Sequence, residues 1–336
     1  MLIYAGIDEA GYGPMIGPLC VAGTAFVVSD HDPNLGGDIC DLWKRLNKAV
    51  CRKRTDKRRR IAIDDSKKLK LPNDSNSHPL THLERGVLGF ANAMRQGTIQ
   101  DATPGAGERT ECDDGLFRFL TVQCGGAPWY QSTTPLPVAH SLDELRIAAS
   151  RLKRTMQNEG VACSFMRCEA IDADSFNRQV DLMGTKSSVN FCAVMRLVDS
   201  IWRQWPKANL HVVVDRQGGR THYLRDLMVS YPDAQAQILE ETDVLSQYRL
   251  EHHGSTLLIS FCVEAERSHL PVALASMTAK YVRELFMIRL NRYFQSLMPE
   301  LKATAGYTED ARRYLTDIDG IIKQAGIERN ALVRSI

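Results

Sequence analysis

The sequence predicts an α/β domain built on a central sheet, and three observations carry that prediction. Strand-like runs rich in Val and Ile recur at 2–7, 20–28, 164–171, 210–214 and 257–263. Helix-like patterns are interspersed with them at 82–95, 142–159, 189–205 and 271–297. Several strand runs are continuously apolar, the pattern of strands covered on both faces. Strands mixed with helices along one chain indicate the α/β class. With 336 residues, 44% of them hydrophobic, the chain can bury a sizeable core as one large or two modest domains.

The first run, Leu2-Ile3-Tyr4-Ala5, leads into Gly6-Ile7-Asp8-Glu9-Ala10-Gly11-Tyr12-Gly13-Pro14. Two adjacent carboxylates end a strand and a glycine turn follows, an arrangement suited to a divalent cation and a phosphate. Residues 29–60 read as an insertion: a turn-rich start, a short helical piece, then the basic run from Arg52 to Arg60. That run fits either a phosphate-gripping surface or a solvated helix face. Asp64-Asp65-Ser66-Lys67-Lys68-Leu69 reads as a polar turn whose lysines could touch phosphates. Residues 96–137, rich in Gly, Thr and Pro, read as a second insertion looping over the surface.

Leu210-His211-Val212-Val213-Val214-Asp215 is a buried-type strand ending in an acid, where α/β sheets usually place ligands. The run 257–263 leads into Glu264-Ala265-Glu266, and a period of two leaves either glutamate able to face the site. Pro271 opens the last long helix at a first-turn position, with Leu274, Met277, Tyr281, Leu285 and Ile288 at helical spacing. Lys280 in that helix reads as a surface lysine, and His269 as a residue that could reach the site. Three or four convergent carboxylates cannot all stay ionised in a dry pocket without a cation. Oxygen ligands suit Mg²⁺ or Mn²⁺, and two such ions roughly 3.5–4 Å apart are suited to phosphodiester cleavage.

A net charge of +2 marks no global nucleic-acid binder, so any basic footprint must be local. Nine cysteines with no C-x-x-C spacing, several of them inside apolar runs, suggest reduced thiols and no zinc site. No apolar run reaches the roughly 18–20 residues that span a bilayer, and the chain enters a strand at once. These features give the expectation of a cytoplasmic protein without a signal peptide or membrane contact.

In order, these motifs resemble the type 2 ribonucleases H (HII/HIII), which cleave RNA paired with DNA. The resemblance lies in Asp8 to Pro14 with Gly17-Pro18-Leu19, Asp65 to Leu69, Asn190, Asp215, then Glu266 with Pro271, Ala275-Ser276 and Ala279-Lys280, and finally Gly306-Tyr307-Thr308. It implies a ribonuclease H-like fold, a central mixed sheet flanked by helices, with the catalytic domain over 1–300 and a C-terminal helical segment over 301–336 packed on it. It implies a metal-dependent endoribonuclease, a monomer, that acts on RNA–DNA hybrids by a two-metal mechanism and leaves 3′-hydroxyl and 5′-phosphate ends. Asp8, Glu9, Asp215 and Glu266 would be catalytic and would hold two ions of Mg²⁺ or Mn²⁺; counting back from Lys280 favours Glu266 over Glu264. Gly11, Tyr12, Gly13, Ser66, Lys67, Lys68 and Tyr307 would bind substrate, with Gly11 to Gly13 near the ribose 2′-hydroxyl and Tyr307 stacked on a sugar. Three positions depart from the family pattern: Tyr12 stands where Arg or Lys is usual, Arg216 where Gly is, and Glu266 where Asp is commoner. With Tyr12 a fixed cation beside the scissile phosphate is expected to be missing, which argues against strict recognition of a single embedded ribonucleotide. A nuclease acting on structured DNA or RNA, or a non-catalytic nucleic-acid-binding descendant, are the alternatives.

Overall fold

A computed structural model describes residues 1–30, 40–95, 112–123 and 125–335. Parts of both expected insertions (31–39 and 96–111) and Cys124 lie outside the described residues.

Among the described residues nine strands form two sheets: β1 (Leu2–Ala10), β2 (Leu19–Val28), β3 (Val50–Cys51), β4 (Ile61–Ala62), β5 (Val161–Ile171), β6 (Asn209–Asp215), β7 (Gln235–Glu241), β8 (Leu245–His252) and β9 (Ser255–Cys262). The main sheet has the order β5-β2-β1-β6-β9-β8-β7, and β3 pairs with β4 in a small sheet of its own. β1, β6 and β9 run parallel and the remaining pairs antiparallel, so the sheet is mixed. All five strands read from the sequence are present, as are the four helices, with ends shifted by a few residues.

Helix Leu270–Leu297 lies on one face over β1 and β2 with Thr81–Arg95 packed against it, and Leu142–Asn158 packs on Thr81–Arg95 and β5. Helices Lys186–Gln204 and Ala173–Met183 cover the other face. Leu270–Leu297 is apolar nearly all round because sheet and helices enclose it, as a core helix requires. It approaches β1 so closely that a Cβ on Gly6 would stand 2.2 Å from the Val272 nitrogen. Three short helices, Thr308–Asp317, Asp319–Gln324 and Arg329–Leu332, follow it; the first packs Tyr314 on Phe294 and the last lies on Ala173–Met183. A central mixed sheet with flanking helices and a C-terminal helical extension is the architecture expected from the sequence.

The structure corrects two sequence expectations. The described part of the second insertion enters the core rather than looping over the surface: helix Asp113–Phe119 buries Leu116 and Phe117, and Trp129 and Tyr130 follow. Arg289 fixes it to the long helix, with Nε 2.7 Å from the buried Asp113 carboxylate. The basic run 52–60 is a loop joining β3 to β4 and has no helix in it. The short helical piece expected in 29–60 is Leu42–Arg45, and the C-terminal helices fall in the expected helical segment; the β7–β8 hairpin and helix Ala173–Met183 were not read from the sequence. β7 is exposed on both sides and shows no alternation. Ala173–Met183 did carry signals: Asp172 caps its first turn and Gly184 ends it in the left-handed region.

Among the described residues no helix is long and apolar enough to cross a membrane. The eight described cysteines are free thiols, four of them buried.

Candidate active site

Parallel pairing brings the C-terminal ends of β1, β6 and β9 to one end of the sheet. Asp8 and Glu9 lie near the end of β1 and Asp215 is the last residue of β6. Glu266 lies in the short 3₁₀ turn Ala265–Arg267 that follows β9. Adjacent strand residues face opposite sides of a sheet. Asp8 accordingly faces the long helix, where Ser276 hydrogen-bonds it, and Glu9 faces Lys186–Gln204, where Asn190 hydrogen-bonds it. Only at a strand end can two such neighbours reach one space.

That space is a cleft of about 270 Å³ lined by Asp8, Glu9, the turn Gly11 to Pro14, Asp65 to Lys67, Asp215, Glu266, Ser276, Lys280 and Tyr307. The Ser66 and Ser276 hydroxyls lie 3.0 Å apart on its floor. Asp65 caps the short helix Ser66–Leu69, so the segment read as a polar turn is helical and presents Lys67 to the cleft. Lys68 does not line it; its ammonium pairs with Asp64 at 3.4 Å. Lys280, read as a surface lysine, is in the wall and pairs with Glu284 at 2.9 Å. His269 stays out of the cleft: it precedes the long helix and hydrogen-bonds the Tyr4 hydroxyl at 2.6 Å. Glu264 turns away in the left-handed region and is ion-paired with Arg267 at 2.5 Å, whereas Glu266 lines the cleft.

Burial dominates the electrostatics. It pushes the Asp8 carboxyl well above its usual range, and repulsion from Glu9 and Asp215 adds to this. Glu9 is pushed up to about 7 by burial and by Asp215. Asp215 is pushed up to about 6, again by burial first, with repulsion from Glu266 adding and the Ala265 amide opposing. Burial raises Glu266 as well. Among the described residues none of the four forms an ion pair, though Lys67 favours the charged forms of Glu9, Asp215 and Glu266. Also among these residues, no three His, Cys, Asp or Glu side chains stand as a ready-made metal-holding group. The donor chemistry nonetheless fits a hard cation: these four carboxyls, with Asp65 as a fifth in the lining, form no ion pair among the described residues and stand with the Ser66 and Ser276 hydroxyls, and no sulfur or imidazole competes.

No family model and no curated protein matches the sequence. Among solved structures the chain is similar to ribonucleases HII and HIII. One is the ribonuclease HII of Archaeoglobus fulgidus in complex with PCNA, 16% identical over 98% of this chain and 93% of that one, at a TM-score of 0.39. Another is the ribonuclease H2 of Pyrococcus horikoshii, 13% identical over 98% and 92%, at 0.38. A third is Bst-RNase HIII in complex with Mn²⁺, 17% identical over 99% of this chain and 66% of that one, at 0.39. At such TM-scores the likeness adds nothing to what the residues of the cleft show.

The turn Gly11–Pro14 has a neighbour that sequence reasoning missed. The Lys186 ammonium lies 5.0 Å from the centre of the Tyr12 ring. A cation therefore does stand beside this turn, carried by the first residue of helix Lys186–Gln204. Gly11 takes φ +87°, and a Cβ there would lie 2.6 Å from the Arg283 side chain, so only glycine fits. Tyr307 is 53% exposed, with the Arg283 guanidinium 6.0 Å from its ring centre.

The basic loop 52–60 is anchored next to the cleft. Arg52 stacks on Trp43 at 3.8 Å and donates to the Arg267 carbonyl at 2.6 Å, one residue beyond Glu266. Arg151 and Arg85 each donate at 2.8 Å to the carbonyls of Arg58 and Arg59. Arg60 is neutralised by Asp56 at 2.9 Å. Lys53, Arg54, Lys57, Arg58 and Arg59 are exposed and form no ion pair among the described residues.

Proposed function

We propose that the chain is a metal-dependent endoribonuclease that hydrolyses the RNA strand of RNA–DNA hybrids, leaving 3′-hydroxyl and 5′-phosphate ends. The observation that carries this reading is the gathering of four carboxyls without ion pairs around one cleft, beside a glycine turn and a lysine. Asp8, Glu9, Asp215 and Glu266 would hold two ions of Mg²⁺ or Mn²⁺, which supply a deprotonated water and neutralise charge on the leaving oxygen. Asn190 and Ser276 orient the Glu9 and Asp8 carboxyls by hydrogen bonds from opposite faces of the sheet. Lys67 and Lys186 stand where a phosphate backbone would pass, and Tyr307 offers an exposed ring for a sugar. Backbone groups of the turn would meet the ribose 2′-hydroxyl, which distinguishes RNA from DNA at a single position.

The test is a cleavage panel with Mg²⁺ and Mn²⁺ on a hybrid, a duplex with a single ribonucleotide, duplex DNA and duplex RNA. Cleavage of the hybrid that Asp215→Asn abolishes supports the reading; an unchanged rate in that variant refutes it. A second reading is a nuclease for another nucleic acid. Tyr12 favours it, because its partly exposed ring takes up space at the turn and holds Lys186 over its face. Cleavage of duplex DNA or duplex RNA in preference to the hybrid in the same panel would establish that reading.

A further inference from the structure

The last described residues return to the turn that begins the cleft. Val333 pairs with Ile16 in an antiparallel bridge, and the Arg334 amide donates to the Met15 carbonyl at 2.9 Å. Asn177 ties down the far end of this strap: its Nδ2 donates to the carbonyls of Asn330 at 3.0 Å and Val333 at 2.9 Å, and its Oδ1 accepts from the Ser335 amide at 2.7 Å. From the strap the Arg334 side chain runs inward, only 3% exposed, and its Nη2 donates to the carbonyls of both Gly11 and Pro14. Arg283 completes the clamp from the long helix, donating to the carbonyls of Ile16 at 3.1 Å and Ala305 at 3.0 Å. The Gly306 carbonyl accepts from the Met15 amide at 2.8 Å, which joins the turn to the segment leading into Tyr307.

This arrangement is costly. Two buried guanidiniums lie close enough to repel each other, and Nε and Nη1 of each have no hydrogen-bond partner among the described residues, although Arg283 Nη1 lies 3.9 Å from the Glu284 carboxylate. A loop that needed only anchoring would be served by neutral groups. What a guanidinium adds here is one donor nitrogen that draws two carbonyls of the same turn inward. In a trans peptide the C=O and N–H point in opposite directions. With the Gly11 carbonyl held on Arg334, the Tyr12 N–H is turned the other way, and it has no backbone acceptor among the described residues.

We infer that Arg334 is a positioning residue of the candidate active site: by holding the Gly11 and Pro14 carbonyls inward it presents the Tyr12 amide to the cleft as a donor for a ribose hydroxyl, and so sets the preference for RNA over DNA. This rests on the ribonuclease reading above. Arg334 touches no substrate itself; it acts through the turn.

The test uses Arg334→Gln and Arg334→Lys in the full chain, with two duplexes of one sequence, one a hybrid and one all DNA. Arg334→Gln lowers kcat on the hybrid on the order of tenfold to a hundredfold, the scale of a misplacement near the chemistry. It also lowers affinity for the hybrid relative to the DNA duplex, while the DNA Kd stays at the wild-type value. Arg334→Lys recovers part of the loss, since an ammonium still donates to both carbonyls. Equal loss of affinity for both duplexes, or no loss for either, overturns the inference. A wild-type chain that cleaves neither duplex refutes the ribonuclease reading instead. Amide hydrogen exchange then still tests the clamp: Met15 and Ile16, whose amides donate to the Gly306 carbonyl, exchange faster in Arg334→Gln while β1 does not, and unchanged exchange overturns it. Should Arg334→Gln fail to fold, Asn177→Ala releases the strap at its other end and shifts hybrid preference in the same direction; an unaltered preference counts against the proposal.

Discussion

Glu9 and Asp215 hold their protons more tightly in the folded chain than in the unfolded one, Glu9 moving from 4.5 to about 7 and Asp215 from 3.8 to about 6. Between these limits the folded state binds more protons, so stability falls as pH rises from about 4 to about 7. For Glu9 alone the loss is up to roughly 3 kcal/mol. A divalent cation that binds only the folded, ionised site opposes that slope. Thermal melts should therefore show a metal-free Tm that declines through this window, and an increment from Mg²⁺ that grows with pH. An increment that is flat or shrinks would remove the carboxyls as the binding site. The two glutamates after β9 are separated by a second measurement. Glu266→Gln should lower kcat/KM by roughly a hundredfold or more, beyond the tenfold to hundredfold that outer-shell partners cost. Glu264→Gln, whose carboxyl is paired with Arg267 away from the cleft, should stay close to wild type. The reverse order would exchange their roles.

At the scale of elements, three parallel strand ends do what no single motif could. Asp8-Glu9 and Asp215 were legible because apolar strands and acids at their ends leave a pattern in sequence. Glu266 was legible only through its spacing from Lys280, since period two alone leaves Glu264 equally eligible. Lys186 was not legible, because a lysine opening a helix carries no mark of the ring it will lie over. The basic run was read as either a phosphate-gripping surface or a helix face, and the helix face falls away because the loop's shape depends on Arg52 reaching out to Arg267 and on Arg85 and Arg151 reaching in from other elements. With Arg60 taken up by Asp56, Lys53, Arg54, Lys57, Arg58 and Arg59 remain exposed without an ion pair among the described residues, and the last three form one uninterrupted run. Replacing these three by Gln should weaken duplex binding and reduce the slope of log K against log salt by about 2 to 3, the release expected for three phosphate contacts. An unchanged slope would make the loop a bystander. The closeness of β1 to the long helix gives another expectation. Gly6→Ala drives a methyl into the backbone at Pro271 and Val272 and should cost about 1–3 kcal/mol or more in urea unfolding.

The molecule as a whole is held together by contacts that no local pattern announces. The segment after 111 was read as a surface loop from its Gly, Thr and Pro content, yet Phe117, Trp129 and Tyr130 sit in the core and Asp113 meets Arg289 there. An apolar residue in a Pro-rich stretch has no periodicity to reveal its burial, and the ion pair that anchors it joins distant parts of the chain. Arg289→Met, which leaves Asp113 buried and unpaired, should cost about 3–5 kcal/mol in the urea midpoint, and adding Asp113→Asn should recover part of it. Full recovery or no initial loss would show that the segment is seated by its aromatic residues alone. The clamp on the glycine turn joins residues far apart in the chain, with Arg334 and Gly11 323 positions apart. A chain emerging from the ribosome has its four acids, its sheet and its long helix before Arg334 exists. The acids can therefore gather first, and the turn that would discriminate sugars is fixed only once residue 334 has left the ribosome and this non-local contact can close.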